Sequence, residues 1–213
     1  YETDASIRLV LVPTQTAVTF TNAASDPFNG NNNAGTLINE SQTVITNTIG
    51  SANFDIGHTF STGGGGLAGL GVVCNNSQKA RGITGSPSPV GDPYDIDYVA
   101  HEMGHQMGAN HTFSHTIENN SVNVEPGSGT TIMAYAGIGG TGIDIQLHSD
   151  DYFAYKSIAQ IQSNMNTKTC PISYNSSTSP AFNNVKPTVS AGLDYTIPIS
   201  TAFKLTGTAS DTE

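Results

Sequence analysis

The stretch His-Glu-Met-Gly-His-Gln-Met-Gly-Ala-Asn-His at residues 101–111 decides how the rest of this chain is interpreted. On a helix, residues four apart lie on nearly the same face, so His101 and His105 can offer two imidazoles to one metal ion. Gly108 can take a positive φ without steric cost, which lets the helix end and the chain turn back. His111 can then supply a third imidazole. Three histidine ligands with one open position are typical of a catalytic zinc site.

Glu102 follows the first histidine and is rotated away from the metal on the predicted helix. A carboxylate at that place can reach a water molecule on the metal and take its proton as the water attacks a peptide carbonyl. Two helical histidines alone would favour a solvated or hydrogen-bonded pair. The added Gly108 and His111 favour a metal site.

A second motif, Glu-Pro-Gly-Ser-Gly-Thr-Thr-Ile-Met-Ala-Tyr, occupies residues 125–135, and its Met133 lies 22 residues after His111. With these two motifs the chain resembles the metzincin metallopeptidases, and among them the bacterial reprolysin-like, adamalysin-related enzymes. The resemblance covers roughly residues 1–172. It implies an α/β (α+β) catalytic domain with a twisted mixed sheet, an antiparallel edge strand, an active-site helix, a C-terminal helix and a short β-rich tail.

The resemblance also implies a function, that of a secreted zinc endopeptidase with Glu102 as general base and protein or peptide substrates. Met133 would form an apolar floor beneath the histidine ligands. Tyr135 would bind zinc at rest and move to the oxyanion during the reaction, or else pack in the wall of the specificity pocket. Ala136 and Gly137 would line that pocket.

Four glycines at residues 63–66 are either a flexible turn or the start of the edge strand on the upper rim of the cleft. A peptide substrate would pair with that strand by main-chain hydrogen bonds. The residues expected to bind the substrate in this way are Leu67, Ala68, Gly69 and Leu70.

Composition limits the classes of function. Only 7 residues are Lys or Arg against 17 Asp or Glu, for a net charge of −10, which argues against a nucleic-acid partner. No apolar run approaches the ~18 residues of a membrane span. Cys74 and Cys170 are the two cysteines, and an even count in a secreted context favours one disulfide over two buried thiols.

Periodicity and turn residues predict the remaining elements. Strands are expected at residues 7–12 and 17–20, with a third from the alternation at residues 54–60. Helices are expected at residues 36–49, 98–108 and 151–166. Asp95 or Asp97 would cap the second of these helices, and together with Asp92 they could instead bind calcium. His58 and His148 lack the spacing of metal ligands and are expected to form hydrogen bonds in the core or at the surface, and His115 is expected to be solvated.

The predicted organisation is a catalytic domain at residues 1–172, a linker at 173–186 and a truncated immunoglobulin-like segment of the polycystic-kidney-disease type at 187–213. The family's usual first strand and helix have no counterpart before residue 7. Two explanations stay open: a preceding segment has been removed or cut, or another chain, such as an N-terminal companion fragment, supplies them. Two other functions stay open. One is a catalytically silent zinc-binding module for adhesion or recognition, and the other is an adhesin whose tail binds polysaccharide.

Overall fold

The computed structural model describes residues 1–118, 120–172 and 188–210. These residues fall into two units, Tyr1–Pro171 and Ile172–Glu213. The first unit carries the histidine motif and has the predicted mixed α/β architecture, with a small mixed sheet and few helices. Within the described ranges, no helix combines the length and the apolar composition needed to cross a membrane.

Three short strands form the sheet of the first unit: β1 (Thr59–Ser61), β2 (Gly65–Ala68) and β3 (Gly82–Gly85). The fully buried β3 is central, with β1 parallel on one side and β2 antiparallel on the other. The predicted antiparallel edge strand is therefore present as β2. It ends at Ala68, so the expected substrate-binding residues Gly69 and Leu70 follow it. The chain then turns at Gly71, whose φ is +65° and whose N–H donates to His105 O.

Helix α2 (Ala34–Ile49) covers one face of this sheet. The Asn33 side chain caps its start by accepting from the Thr36 N–H, and Gly50 with φ +85° ends it. Its buried face combines the apolar side chains with a hydroxyl, since Ser41 donates to Ala80 O at 2.7 Å. The prediction for residues 36–49 is confirmed, with one half-turn added in front.

The histidine motif lies at the end of a continuous helical stretch. It begins as α3 (Asp92–Tyr94), continues as a π-helical segment (Asp95–Ala100) and becomes α4 (His101–Gln106). The prediction that Asp95 or Asp97 caps the helix is wrong, because the helix already begins after Gly91 and both residues lie inside it. Pro93 in the first turn sets a helical φ without losing a hydrogen bond, so the helix begins earlier than expected.

Helix α5 (Tyr155–Met165) packs against the segment that follows α4. Asn164 Nδ2 donates to Met107 O at 2.8 Å, and Gln160 Oε1 accepts from the Asn110 N–H at 2.9 Å. Met107 and Ile161 are fully buried in the main apolar cluster. The helix begins at Tyr155 and not at residue 151, because Phe153 is needed in that cluster and its N–H donates to Asp4 Oδ2.

The predicted disulfide is present. Cys74 and Cys170 are bonded, with their Cα atoms 5.7 Å apart and a sequence separation of 96. The bridge ties the chain after α5 to the segment after β2. A disulfide that closes a loop of this length restricts the unfolded chain and so stabilises the fold by at most ~4–5 kcal/mol.

The predicted strand at residues 7–12 is wrong. These residues form no sheet pairing within the described chain, and Val10 and Leu11 are 80% and 78% exposed. β-Branched composition favours a strand only where a neighbouring strand is there to pair with it. The preceding residues instead form a one-turn helix, α1 (Glu2–Ala5), whose Ala5 enters the main apolar cluster. The companion fragment stays a prediction that no contact in the described residues supports.

Two other strand predictions need correction. Residues 17 and 18 are the last two of a 3₁₀ helix, Gln15–Val18, and residues 19 and 20 belong to no strand. The helix follows a turn in which the Gln15 N–H donates to Val12 O. The alternating stretch 54–60 becomes a strand only from Thr59 onward. Before it, the Gly57 N–H donates to Lys79 O as a single bridge, because Gly57 lies so close to Ala80 that no ladder continues.

The second unit contains two exposed antiparallel strands, β4 (Thr188–Ser190) and β5 (Thr208–Ser210), with Val189 opposite Ala209. The predicted linker at 173–186 lies outside the described residues. Assignment of the tail to an immunoglobulin-like repeat stays a prediction, since two strands fit many β folds.

Candidate metal centre

Three histidines converge on one point at the end of α4. His105 Nε2 lies 3.0 Å from His111 Nε2, which lies 3.2 Å from His101 Nε2. Among the described residues, this is the group of His, Cys, Asp and Glu side chains that could hold a metal ion. His101 and His105 meet because they are one helical turn apart. His111 joins them because Gly108, with φ +104°, reverses the chain.

The other ring nitrogen of each histidine faces an oxygen acceptor. His101 Nδ1 lies 2.7 Å from Ile132 O, and His105 Nδ1 lies 2.7 Å from Ala109 O. His111 Nδ1 lies 3.0 and 3.1 Å from the two carboxylate oxygens of Glu118. Each Nδ1 therefore carries the proton and donates it. The three Nε2 lone pairs then face one another, an arrangement that is repulsive unless a cation lies among them.

Burial favours the neutral form of His101 and His105. Desolvation, reinforced by His105 and His111, lowers the pKa of His101 well below its usual value. Desolvation and His111 lower the pKa of His105 to about 4. Neutral imidazoles are the form that binds a metal ion, so around pH 7 these two need lose no proton first.

Glu102 lies in the wall between the histidines and the edge strand. Only 8% of it is exposed, and burial raises the pKa of its carboxyl to about 7. A Cβ atom on Gly66 of β2 would lie 2.2 Å from Glu102 Oε1. Glycine at position 66 is thus needed for β2 to approach the carboxylate, which brings the sheet edge and the acidic group together.

Met133 lies directly beneath α4. It is fully buried, and a Cβ atom on Gly104 would lie 2.3 Å from its sulfur. Its turn also holds the ligand segments, because Ile132 O accepts from His101 and Met133 O accepts from the Thr112 N–H at 3.0 Å. The turn therefore connects the first histidine to the chain next to the third one.

Tyr135 leaves this turn toward the histidines. Its ring centroid lies 4.5 Å from that of His111 and 5.7 Å from that of His101. Phe113 stacks on the His111 ring at 5.0 Å and also contacts Tyr135, with ring centroids 4.5 Å apart. Burial, followed by the carboxylates of Glu118 and Glu102, raises the pKa of Tyr135, so its hydroxyl keeps the proton at neutral pH.

The residues expected to contact substrate have mixed environments. Leu67 and Leu70 are 41% and 56% exposed beside the edge strand, so their side chains are accessible. Ala136 is buried, and Gly137 with φ +77° packs against the main chain of Leu147, so the wall there is tightly built. Their contacts with a substrate stay a prediction.

The other three histidines lie outside the centre. His58 bridges Gln106 Oε1 and Thr84 Oγ1, both at 2.8 Å, and burial lowers its pKa to about 4. His115 Nδ1 lies 3.1 Å from Gly127 O, and His148 Nδ1 lies 2.8 Å from Asp97 Oδ2.

Asp97 also accepts from the Ser149 N–H at 2.8 Å, so it ties two segments of the protein together. Asp92, Asp95 and Asp97 do not meet the distances of a metal group in the described part of the chain. The structure gives no support for the alternative that these aspartates bind calcium.

Two carboxylates near the centre, Glu118 and Glu125, were not predicted from the sequence. Glu125 is 9% exposed and accepts from the N–H groups of Thr130 and Thr131, at 2.9 and 3.0 Å. It also accepts from the hydroxyls of Thr112 and Thr131. Glu125 thus links the chain after His111 to the turn of Met133. Its place in the second motif was visible, but its partners were not.

Fold and site together define a mixed α/β metalloprotein of the metallopeptidase class, with three converging imidazoles and an adjacent buried carboxylate. The sequence model of the reprolysin-like metallo-peptidases, family M12B, matches residues 1–181. The chain belongs to this family, which makes it a metalloprotease whose substrates are proteins or peptides. No curated protein matches the chain.

Proposed function

We propose that this protein is a secreted zinc-dependent endopeptidase of the metzincin type, with Glu102 as general base. One observation carries the proposal. The Nε2 atoms of His101 and His105 each lie within 3.2 Å of His111 Nε2, and α4 also carries a buried carboxylate, Glu102, next to the first of these ligands. A site that only binds a metal has no need of that carboxylate.

The donor set fits zinc. A tetrahedral ion with Zn–N bonds of about 2.0–2.1 Å needs its nitrogen ligands roughly 3.3 Å apart. The observed separations of 3.0 and 3.2 Å lie within a few tenths of an ångström of that value. Imidazole donors also suit zinc better than magnesium or calcium, which prefer oxygen. His101, His105 and His111 would hold the ion and leave a fourth position for water or substrate.

When bound, zinc held by three imidazoles lowers the pKa of its water toward ~7 and polarises the carbonyl to be cleaved. Glu102 would take the proton of the attacking water as the new C–O bond forms, and would pass it to the leaving amine as the C–N bond breaks. A carboxyl with a pKa of about 7 can both accept and release a proton near neutral pH. Burial of Glu102 strengthens its interaction with the reacting groups.

The edge strand would hold the substrate. As the outer strand of the sheet, β2 offers main-chain groups to an extended peptide. Glu102 contacts β2 at Gly66, so a peptide paired there would lie close to the proton acceptor. The exposed Leu67 and Leu70 follow Gly66 along the chain and would contact substrate side chains.

Secretion is supported by the disulfide between Cys74 and Cys170, because such bonds persist mainly in oxidising compartments. The bacterial subfamily and the immunoglobulin-like tail are inferred from the sequence motifs alone. In this proposal the first unit carries the chemistry, since all three histidines and Glu102 lie within it.

Cleavage of casein and of a fluorogenic peptide library, before and after removal of metal, tests the proposed function. We expect turnover that is lost on dialysis against a chelator and restored by one equivalent of zinc. Intact turnover after the metal has been removed, or zinc binding with no cleavage of any peptide, would contradict it. The second result would favour the silent adhesion module.

Replacement of Tyr135 by Phe should lower kcat by about 10²-fold or more with little change in KM. The reason is that its neutral hydroxyl is proposed to donate to the oxyanion, and one such donor is worth about 10²–10³-fold. Steady-state kinetics on a single peptide measure the effect. Tyr152→Phe is the matched control, because that hydroxyl contacts only Asp150 among the described residues. Unchanged turnover in the Tyr135 variant would reject this role.

A further inference from the structure

The three histidines differ in what holds their Nδ1 atoms. His101 and His105 donate to the main-chain oxygens of Ile132 and Ala109, which are neutral and belong to the fold itself. His111 donates to a carboxylate, with both Glu118 oxygens at 3.0–3.1 Å. Of the three ligands, His111 is therefore the one whose partner is a charged side chain.

We propose that Glu118 is the positioning residue of the metal centre, setting the tautomer and donor strength of His111. A carboxylate that accepts from Nδ1 keeps the proton on that nitrogen and leaves the Nε2 lone pair for the metal. Its negative charge also makes Nε2 a stronger electron donor. The inference rests on the proposed zinc site, and it extends that site to a residue seven positions beyond the third histidine.

The contacts around His111 indicate that Glu118 acts on this ligand and is not needed for the metal-free fold. The ring is already held by Phe113 and Tyr135, so its plane does not depend on Glu118. The chain returns to the core at residues 124 and 125, whose N–H groups both donate to Thr112 O at 2.9 Å. What Glu118 adds is the choice of tautomer and a local charge. Removing it should therefore weaken metal binding and leave the metal-free fold intact.

The contrasting interpretation is an ordinary surface ion pair. The side chain of Glu118 is 37% exposed, and pairs of that kind typically contribute little to stability. Asn120 Nδ2 approaches Glu118 Oε2 at 3.4 Å, which is a weak contact. The two interpretations differ in one measurable quantity, because an ion pair of that kind would leave zinc affinity unchanged.

The test compares zinc affinity and metal-free stability in Glu118→Ala, Glu118→Gln and a control. Glu2→Gln is the control, since it removes the same charge from an exposed carboxylate paired with Arg8. Zinc dissociation constants come from competition with a chromophoric chelator at fixed pH and ionic strength. Urea unfolding of the metal-free proteins supplies the second readout.

We expect Glu118→Ala to bind zinc about 10–100-fold more weakly, as for other outer partners of metal-bound histidines. Glu118→Gln should fall between it and the wild type, because its amide oxygen still accepts from Nδ1 without the charge. The control should match the wild type, and the metal-free unfolding midpoints should coincide.

Equal zinc affinities in all variants would overturn the proposal, as would a loss of affinity that tracks a lowered metal-free midpoint. Wild-type protein that binds no zinc would instead overturn the proposed function itself. If Glu118→Ala does not fold, the comparison of Glu118→Gln with Glu2→Gln decides the matter. Glu118→Gln that binds zinc as tightly as the control would then reject the role.

Discussion

Glu102→Gln should lower kcat/KM for peptide cleavage by about 10²–10⁴-fold while one zinc ion still binds, the range expected for loss of a general base. The amide has nearly the same shape as the carboxylate, so its packing against Gly66 is retained. Glu102 is not among the three grouped ligands, so zinc content should not change. Progress curves on a fluorogenic peptide and metal analysis of the same sample measure both quantities.

Glu40→Gln is the matched control for this change. Glu40 accepts from the N–H groups of Asn29 and Gly30, away from the histidines, so its loss removes one negative charge without touching the chemistry. A Glu102→Gln variant with activity within a few-fold of that control would exclude a proton-transfer role. Loss of zinc in the Glu102 variant would point to a structural role instead.

The same residue controls the acid limb of the pH profile. The active form of Glu102 is the carboxylate, so activity should rise with pH through its pKa. Burial raises that pKa to about 7, and a cation among the histidines acts in the opposite direction. The limb should therefore lie at or below pH 7. It should be absent from the residual activity of Glu102→Gln, which a pH–rate profile on both proteins measures.

His105→Ala should abolish measurable cleavage and weaken zinc binding on the order of 10²–10³-fold. Structural zinc sites with four protein ligands bind the ion with about 10–16 kcal/mol, which corresponds to about 2.5–4 kcal/mol for each protein ligand. Wild-type protein should also gain about 4 kcal/mol of unfolding free energy when zinc is present at 1,000 times its dissociation constant. The variant should gain far less at the same zinc concentration.

His115→Ala is the matched control, because His115 belongs to the same region but its Nδ1 donates to Gly127 O and not to a group of the centre. Zinc titrations followed by thermal or urea unfolding compare the three proteins. A His105→Ala variant that keeps wild-type zinc affinity would show that the ion does not bind where the three rings meet.

Much of the centre follows from local sequence. His101 and His105 are four residues apart on a short helix, and Gly108 allows the turn that leads to His111. These local features specify the geometry of the ligands without any distant residue. The disulfide partners were predictable because Cys74 and Cys170 are the two cysteines of the chain. Helix α2 was predictable because its apolar arc and the terminal Gly50 agree, whereas its Asn33 cap was not predicted.

The predictions of strands, caps and helix bounds are wrong where the structure of a segment depends on contacts with distant residues. Residues 7–12 have strand composition, yet within the described chain they pair with no strand and stay exposed. Asp95 and Asp97 look like caps in sequence, but an earlier helix start after Gly91 places them inside a π-helical segment. Helix α5 starts late because Phe153 is drawn into the core.

The sequence alone determined the donor types, their spacing and the acid beside them, because a single helical turn and one glycine are short-range features. The tertiary structure decided which groups support those donors. Ile132, Glu118 and Glu125 reach the ligand segments only after the chain has folded back on itself, and no local rule connects them to a histidine. Gly66 shows the same dependence, since its lack of a side chain matters only once β2 lies against Glu102.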